Sequence, residues 1–236
     1  SEGYILANYT ASDKPYSLDN TGKTDVSDLL QRMLEDCNQS GGGAVYLPAG
    51  KYLLQKNITI PPHVTLRGDY RDPDTVTNGD YGTVLLADNP GSALYPGLIR
   101  LNSNSGAVGL TVYYPNQDIG NVKQYPYTFE IAGVYAEPVW SAMAFTIEDC
   151  TLLNSNCGIS IGSGRPENNY NIGENHLIQN VKGTVLSFGL NIENSSDTSR
   201  LQGIRLNNEY WAKAGKAFNA PDLEALNAYT RANGTG

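Results

Sequence analysis

Short runs in which apolar and polar residues alternate, such as HVTLRG, TVLLAD, YTFEIAG, AFTIEDC and HLIQNV, follow one another through most of the chain, and the links between them are not hairpin links. Alternation with period two is strand text, one side of each strand facing a core and the other facing out. Tight hairpins favour Asn-Gly or Asp-Gly, yet Asn-Gly occurs only at Asn78-Gly79 and Asn233-Gly234, and Asp-Gly is absent. Asparagine recurs instead beside irregular connections, at Asn102, Asn104, Asn154, Asn156, Asn180, Asn191, Asn207 and Asn208. This pattern suits a parallel coil in which one rung stacks on the next and turn asparagines hydrogen-bond along the stack. The 25 glycines and 16 tyrosines, against 17% charged residues, agree with an all-β chain, and 236 residues suffice for one domain with a substantial core.

The end of such a coil exposes strand edges and core, so it needs a cover. DVSDLLQRMLEDCNQSGGG supplies one: Val26, Leu29, Leu30, Met33, Leu34 and Cys37 recur at helical spacing, Asp25 is placed as an N-cap, and Gly41, Gly42 and Gly43 stop the helix. The expected organisation is an arm over residues 1–24, a capping helix over 25–40, a parallel β-helix over 41–211 and a helical segment over 212–236. In that last segment PDLEALNAYTRAN has Pro221 at the first helical position and Leu223, Leu226 and Tyr229 on one side. It is expected either to close the far end of the coil or to lead into further chain.

The stretch TDVSDLLQRMLEDCNQSGGGAVYLPAGKYLLQKNITIPPHVTLRG, residues 24–68, resembles the opening of the pectate lyase superfamily, related to the polygalacturonases. The shared features are an Asp-rich helix start, a triple-glycine turn, a strand with Pro-Ala-Gly and a second strand ending in Leu-x-Gly. The resemblance implies a single-stranded right-handed parallel β-helix with an N-terminal capping α-helix. It also implies a secreted, carbohydrate-active protein that degrades polysaccharide as a glycoside hydrolase or a polysaccharide lyase. It supplies no matched catalytic residue. Asn156, Cys157 and Gly158 stand where polygalacturonases carry Gly-His-Gly, no Asp-Asp pair occurs, and Gly203-Ile204-Arg205 is not Arg-Ile-Lys. The opposing reading is a non-catalytic β-helix: a glycan-binding domain, an adhesin or a scaffold within a longer protein.

Candidate chemistry therefore comes from alternation. With Phe129, Ile131, Phe145 and Ile147 inward, Glu130 and Glu148 face out, and Tyr113 does so one run earlier. If successive runs stack, Tyr113, Glu130 and Glu148 share an outer column. Two carboxylates at strand spacing favour the protonated form of one of them, and retaining glycosidases hold their carboxyl pair about 5 Å apart. Asp149, at a turn, is a third catalytic candidate. The competing reading is a solvated strand face with incidental acids. Sugar-binding candidates are Tyr113, Tyr114, Tyr125, Tyr127 and Trp140, whose rings suit the apolar face of a sugar, and Arg165, on another long loop placed to border a groove.

No metal site is expected, although the loop DYRDPDTVTNGDYG carries Asp69, Asp72, Asp74 and Asp80 and calcium is the cofactor to look for if the protein is a lyase. Cys37, Cys150 and Cys157 have no metal spacing and read as buried thiols. The formal charge of −8, without any Lys/Arg run, argues against nucleic acid as a partner and favours polysaccharide or oligosaccharide. No apolar stretch is long enough for membrane insertion.

Overall fold

Three strands make one turn of a coil in the computed structural model, which describes residues 6–88, 91–131, 141–162 and 172–233. The first turn holds β1 (Tyr9–Thr10), β2 (Thr21–Asp25) and α1 (Ser27–Gln39), and the second holds β3 (Gly43–Leu47), β4 (Gly50–Leu54) and β5 (Ile58–Ile60). The third is β6 (Val64–Gly68), β7 (Thr83–Ala87) and β8 (Ile99–Leu101), and the fourth is β9 (Gly106–Val108), β10 (Thr111–Tyr113) and β11 (Tyr127–Ile131). In the fifth, β12 (Ser141–Met143) precedes one long strand that bends over all three faces, β13 (Thr146–Ile161). The sixth repeats this with β14 (Ile172–Glu174) and β15 (Leu177–Ile192). After β16 (Ser195–Ser196), β17 (Arg200–Gln202) and β18 (Arg205–Leu206) come α2 (Glu209–Ala212), a 3-10 turn (Lys216–Phe218) and α3 (Leu223–Asn233).

Every pairing among the described strands is parallel, as the missing hairpin links require. The result is a right-handed parallel β-helix, the hand that parallel crossovers adopt. On the first face, Val45, Leu66, Ala107, Ile147 and Ile178 stack inward and are fully buried. On the second, the inward column runs Tyr52, Leu85, Val112 and Leu152. Ile58, Ile99, Phe129 and Ile159 form the third. The Val, Leu, Ile and Phe side chains among these contribute about 1.5–3 kcal/mol each by leaving water.

The corners between faces are single residues in the left-handed region. His63, Asn104, Ala144 and Asn175 lie one above another where each turn enters the first face, with φ of 63°, 55°, 54° and 49°. Gly109, Asp149, Asn180 and Gly203 do the same between the first and second faces. Glycine, Asn and Asp tolerate this conformation best, which is why asparagine marks the links. Asparagines do bond along the stack, mostly to the backbone of the neighbouring turn: Asn102 donates to the Ile60 carbonyl, Asn156 to that of Tyr125, and Asn154 both donates to and accepts from Tyr114.

In α1, Leu30, Met33, Leu34 and Cys37 are buried against β3, β5 and β6, whereas Leu29 is 40% exposed and stands off the apolar face. The helix boundary falls one residue later than the expected Asp25. Val26 is its boundary residue, while the Asp25 carboxylate still accepts the Ser27 N–H of the first turn. The three cysteines are free and buried, and burial pushes the Cys150 thiol up to about 12. The C-terminal segment lies along the outside of the second face, where Trp211, Phe218 and Leu226 join Tyr81, Val84, Tyr113, Leu153 and Leu186 in a second apolar cluster. Outward apolar residues on that face, which a lone coil would expose, account for this docking.

Candidate functional site

The expected column of Tyr113, Glu130 and Glu148 does not form. Glu148 is on the first face beside Val108 and Gln179, Tyr113 is on the second beside Leu86, and Glu130 is on the third between Arg100 and Ser160. One turn takes three strands, so consecutive runs occupy consecutive faces rather than stacking. Glu130 points outward but is fully buried under residues 91–97: Gly97 N–H donates to its carboxylate at 2.6 Å and Arg100 Nε lies 3.4 Å away. A Cβ on Gly97 would come within 2.5 Å of the Glu130 Cβ, so glycine is what lets this cover close. A carboxylate so enclosed cannot reach a polysaccharide.

Burial also corrects the reading of the four tyrosines as a sugar platform. Tyr114 stacks on Tyr125 with ring centroids 5.0 Å apart inside the coil, and Tyr127 stacks on Tyr95 at 5.3 Å. Tyr113 meets Phe218 edge-on at 4.9 Å. All four are buried: Tyr114 and Tyr125 belong to the core of the coil, Tyr113 is covered by the C-terminal segment, and Tyr127 lies under Tyr95. Trp140 and Arg165 lie outside the described residues.

Glu148 and Asp149 remain at the surface, each half-buried, at the edge between the first and second faces. Glu148 stands outward in the column Arg67, Val108, Glu148, Gln179 and Gln202, and the last two amides are linked at 2.8 Å. Its carboxylate has no hydrogen-bond or ion-pair partner among the described residues. Asp149 occupies the left-handed corner and accepts from Asn180 Nδ2 at 2.6 Å, the same amide that donates to Tyr70 Oη at 3.1 Å. Burial raises the Tyr70 phenol above its ordinary value.

Residues 69–82 form one wall of this strip. Lys182 of β15 donates to Asp72 and to Asp74, each at 2.7 Å, and Asp74 also receives Tyr210 at 2.9 Å and Arg205 at 3.3 Å. Burial on its own would raise the Asp72 carboxyl, but the Lys182 hydrogen bond holds it below the usual range; for Asp74 that bond is the leading cause of the same shift. Asp69 accepts from Tyr46 and from the Ala49 N–H, and Asp80 from the Gly82 N–H beside Arg71. Asp72 and Asp74 thus share Lys182 while Asp69 and Asp80 turn to partners of their own, and no group of three or more metal-ligating side chains gathers among the described residues. Tyr70, Asn180, Lys182 and Arg205 escaped sequence reasoning because Tyr70 and Asn180 are 110 residues apart, and only the count of turns brings them together.

The arrangement offers an open carboxylate, a second carboxylate held by an amide, and a line of amides and cations running along the coil axis. Such a strip can hold the hydroxyls of an extended chain and present Glu148 to one of its bonds. No described helix is long and apolar enough to cross a membrane. Residues 12–92 match the family model described as rhamnogalacturonase A/epimerase, pectate lyase-like. No curated protein matches the sequence. Among solved structures, a candidate glycosyl hydrolase from Parabacteroides merdae is 16% identical over 85% of this chain and 96% of its own, with a TM-score of 0.43. The A-module of an Azotobacter vinelandii mannuronan C-5 epimerase is 15% identical over 80% of this chain and 57% of its own, at 0.46. An iota-carrageenase complexed to iota-carrageenan fragments is 12% identical over 86% of this chain and 42% of its own, at 0.43. This chain thus spans only about half the length of the latter two. The coil of parallel strands is a right-handed parallel β-helix, and its opening segment, residues 12–92, is similar to the pectate lyase-like family model.

Proposed function

We propose that this protein is a secreted, carbohydrate-active β-helix that acts on a polysaccharide along the outer strip of its first face. Glu148 is the reacting acid or base and Asp149 the second carboxylate. The observation that carries this reading is the unpartnered Glu148 carboxylate next to Asp149, on an open strip walled by Tyr70, Asn180 and Lys182. Glycoside hydrolysis suits the two carboxylates, one as acid and the other as nucleophile or base. A lyase would instead need a base acting on an acidic sugar, with calcium as the cation to add. A binding role without turnover is the second reading, favoured by the hydrogen bond that already occupies Asp149.

The test is product release from plant, algal and microbial polysaccharides by the unaltered chain and by Glu148→Gln and Asp149→Asn. New reducing ends that disappear in Glu148→Gln support a hydrolase, and unsaturated products with added calcium support a lyase. Retention of polysaccharide without product leaves the binding reading, and neither product nor retention from folded protein overturns both.

A further inference from the structure

Residues 114–126 connect the second face to the third, and their loop is fixed from within by Gln117, only 4% exposed. Its side-chain oxygen accepts the N–H groups of Asp118 and Lys123 at 3.1 and 2.8 Å, and its amide donates to the Lys123 carbonyl at 3.1 Å. The turn ahead of α3 comes up against this loop, where Asn219, at φ 46°, donates to the Pro115 carbonyl at 3.2 Å. Between them lies a cavity of about 290 Å³ bounded by Pro115, Asn116, Asp118, Ile119, Trp211 and Pro221.

Two acceptors there remain without partners among the described residues. Asn116 donates its amide to Asp88 and leaves its side-chain oxygen open, while Asp118 engages Oδ1 with the Gly120 N–H and leaves Oδ2 open. Two proline rings and Ile119 supply C–H walls beside them. An acceptor pair against an apolar wall complements a pyranose, which offers hydroxyl donors on its rim and C–H groups on its face.

We propose that this notch is a second glycan site, taking one residue of a neutral polysaccharide and anchoring the chain away from the first-face strip. Asp118 in the notch, with Asp222 next to Pro221 in sequence, disfavours a uronate or a sulfated sugar by like-charge repulsion. The choice of sugar as ligand class rests on the carbohydrate-active reading above, but the notch does not depend on Glu148.

The experiment is calorimetric titration of the whole chain with cello-, xylo-, manno- and galacto-tetraose and with tetragalacturonate. It compares the unaltered chain, the double variant Asn116→Ala/Asp118→Ala and Glu148→Gln, with circular dichroism as the folding control. Gln117 is left intact so that the loop keeps its shape. The expected result is binding of at least one neutral tetraose that weakens about tenfold or more in the double variant, from two lost hydrogen bonds, and persists in Glu148→Gln. Absence of any neutral binding, equal binding by the double variant, or a preference for tetragalacturonate that the double variant removes would each overturn the proposal. Loss of turnover in Glu148→Gln with notch binding intact separates this outcome from the fate of the catalytic reading.

Discussion

The side-chain amide of Asn180 donates to the Asp149 carboxylate at 2.6 Å across one turn of the coil, and both residues hold the left-handed conformation that bends the strand from the first face to the second. Asp149 thus has a backbone role that any chemical role must share. The two are separable, because the corner needs a residue that tolerates positive φ, whereas chemistry needs the carboxylate.

Asp149→Asn and Asp149→Gly are expected to fold with stability close to that of the unaltered chain, while Asp149→Val loses about 1–3 kcal/mol to backbone strain at the corner. Urea unfolding of the three variants measures this. A stable Asp149→Val would show that the corner relaxes out of the left-handed region.

Glu130 is a structural carboxylate, and its replacement should act on stability. Glu130→Ala removes the acceptor of the Gly97 N–H and the charge beside Arg100, at an expected cost of about 3 kcal/mol. Activity per folded molecule, compared after correcting for the unfolded fraction, should be unchanged; a specific loss of turnover in fully folded Glu130→Ala would return this residue to the catalytic list.

The coil itself was legible in the sequence because strand alternation, the scarcity of hairpin dipeptides and the asparagine-rich links are local signals. FTIEDC and GISIG each carry it and proved to be parts of one bent strand. Register was not legible. Assigning Tyr113, Glu130 and Glu148 to one column required knowing that a turn takes three runs, and alternation says only in or out, never which face. Burial of outward residues was hidden for the same reason: Glu130 and Tyr113 do point away from the axis, but residues 91–97 and the C-terminal segment lie over them, and nothing local to either strand announces that cover.

Lys182 ties residues 69–82 and, through Asp74, the Tyr210 region to the coil, so Lys182→Met should loosen both. The expected cost is about 1–3 kcal/mol, read by urea unfolding, with faster proteolytic cleavage within 69–82. The lowered carboxyls of Asp72 and Asp74 fix the sign of the pH effect. Their stabilisation is complete above the ordinary carboxylate value of 3.8 and is lost as pH falls through the lowered folded values. The unaltered chain should therefore lose more stability on acidification below that value than Lys182→Met does; parallel acid profiles would count against the clamp.

Phe218 fastens the C-terminal segment to the second face. Its ring meets Tyr81 and Tyr113 edge-on with centroids 5.0 and 4.9 Å away, and Lys51 Nζ stands 5.5 Å above it. Phe218→Ala should cost about 3–5 kcal/mol and raise hydrogen exchange across α3 ahead of the coil strands. Exchange that rises equally throughout would mean that segment and coil unfold as one unit.

His176 stacks on Phe145 at 4.7 Å between ring centroids and is only 2% exposed, with Ser199 Oγ at 2.9 Å from Nδ1. Burial lowers its value below the ordinary 6.5, so the folded protein binds this proton less readily than the unfolded chain. Stability from this group is complete above 6.5 and declines as pH falls through the depressed folded value. His176→Gln, which keeps a hydrogen-bonding group near Ser199 and cannot titrate, should flatten the stability profile as pH falls below 6.5. An unchanged profile in His176→Gln would show that the buried imidazole is not the titrating group.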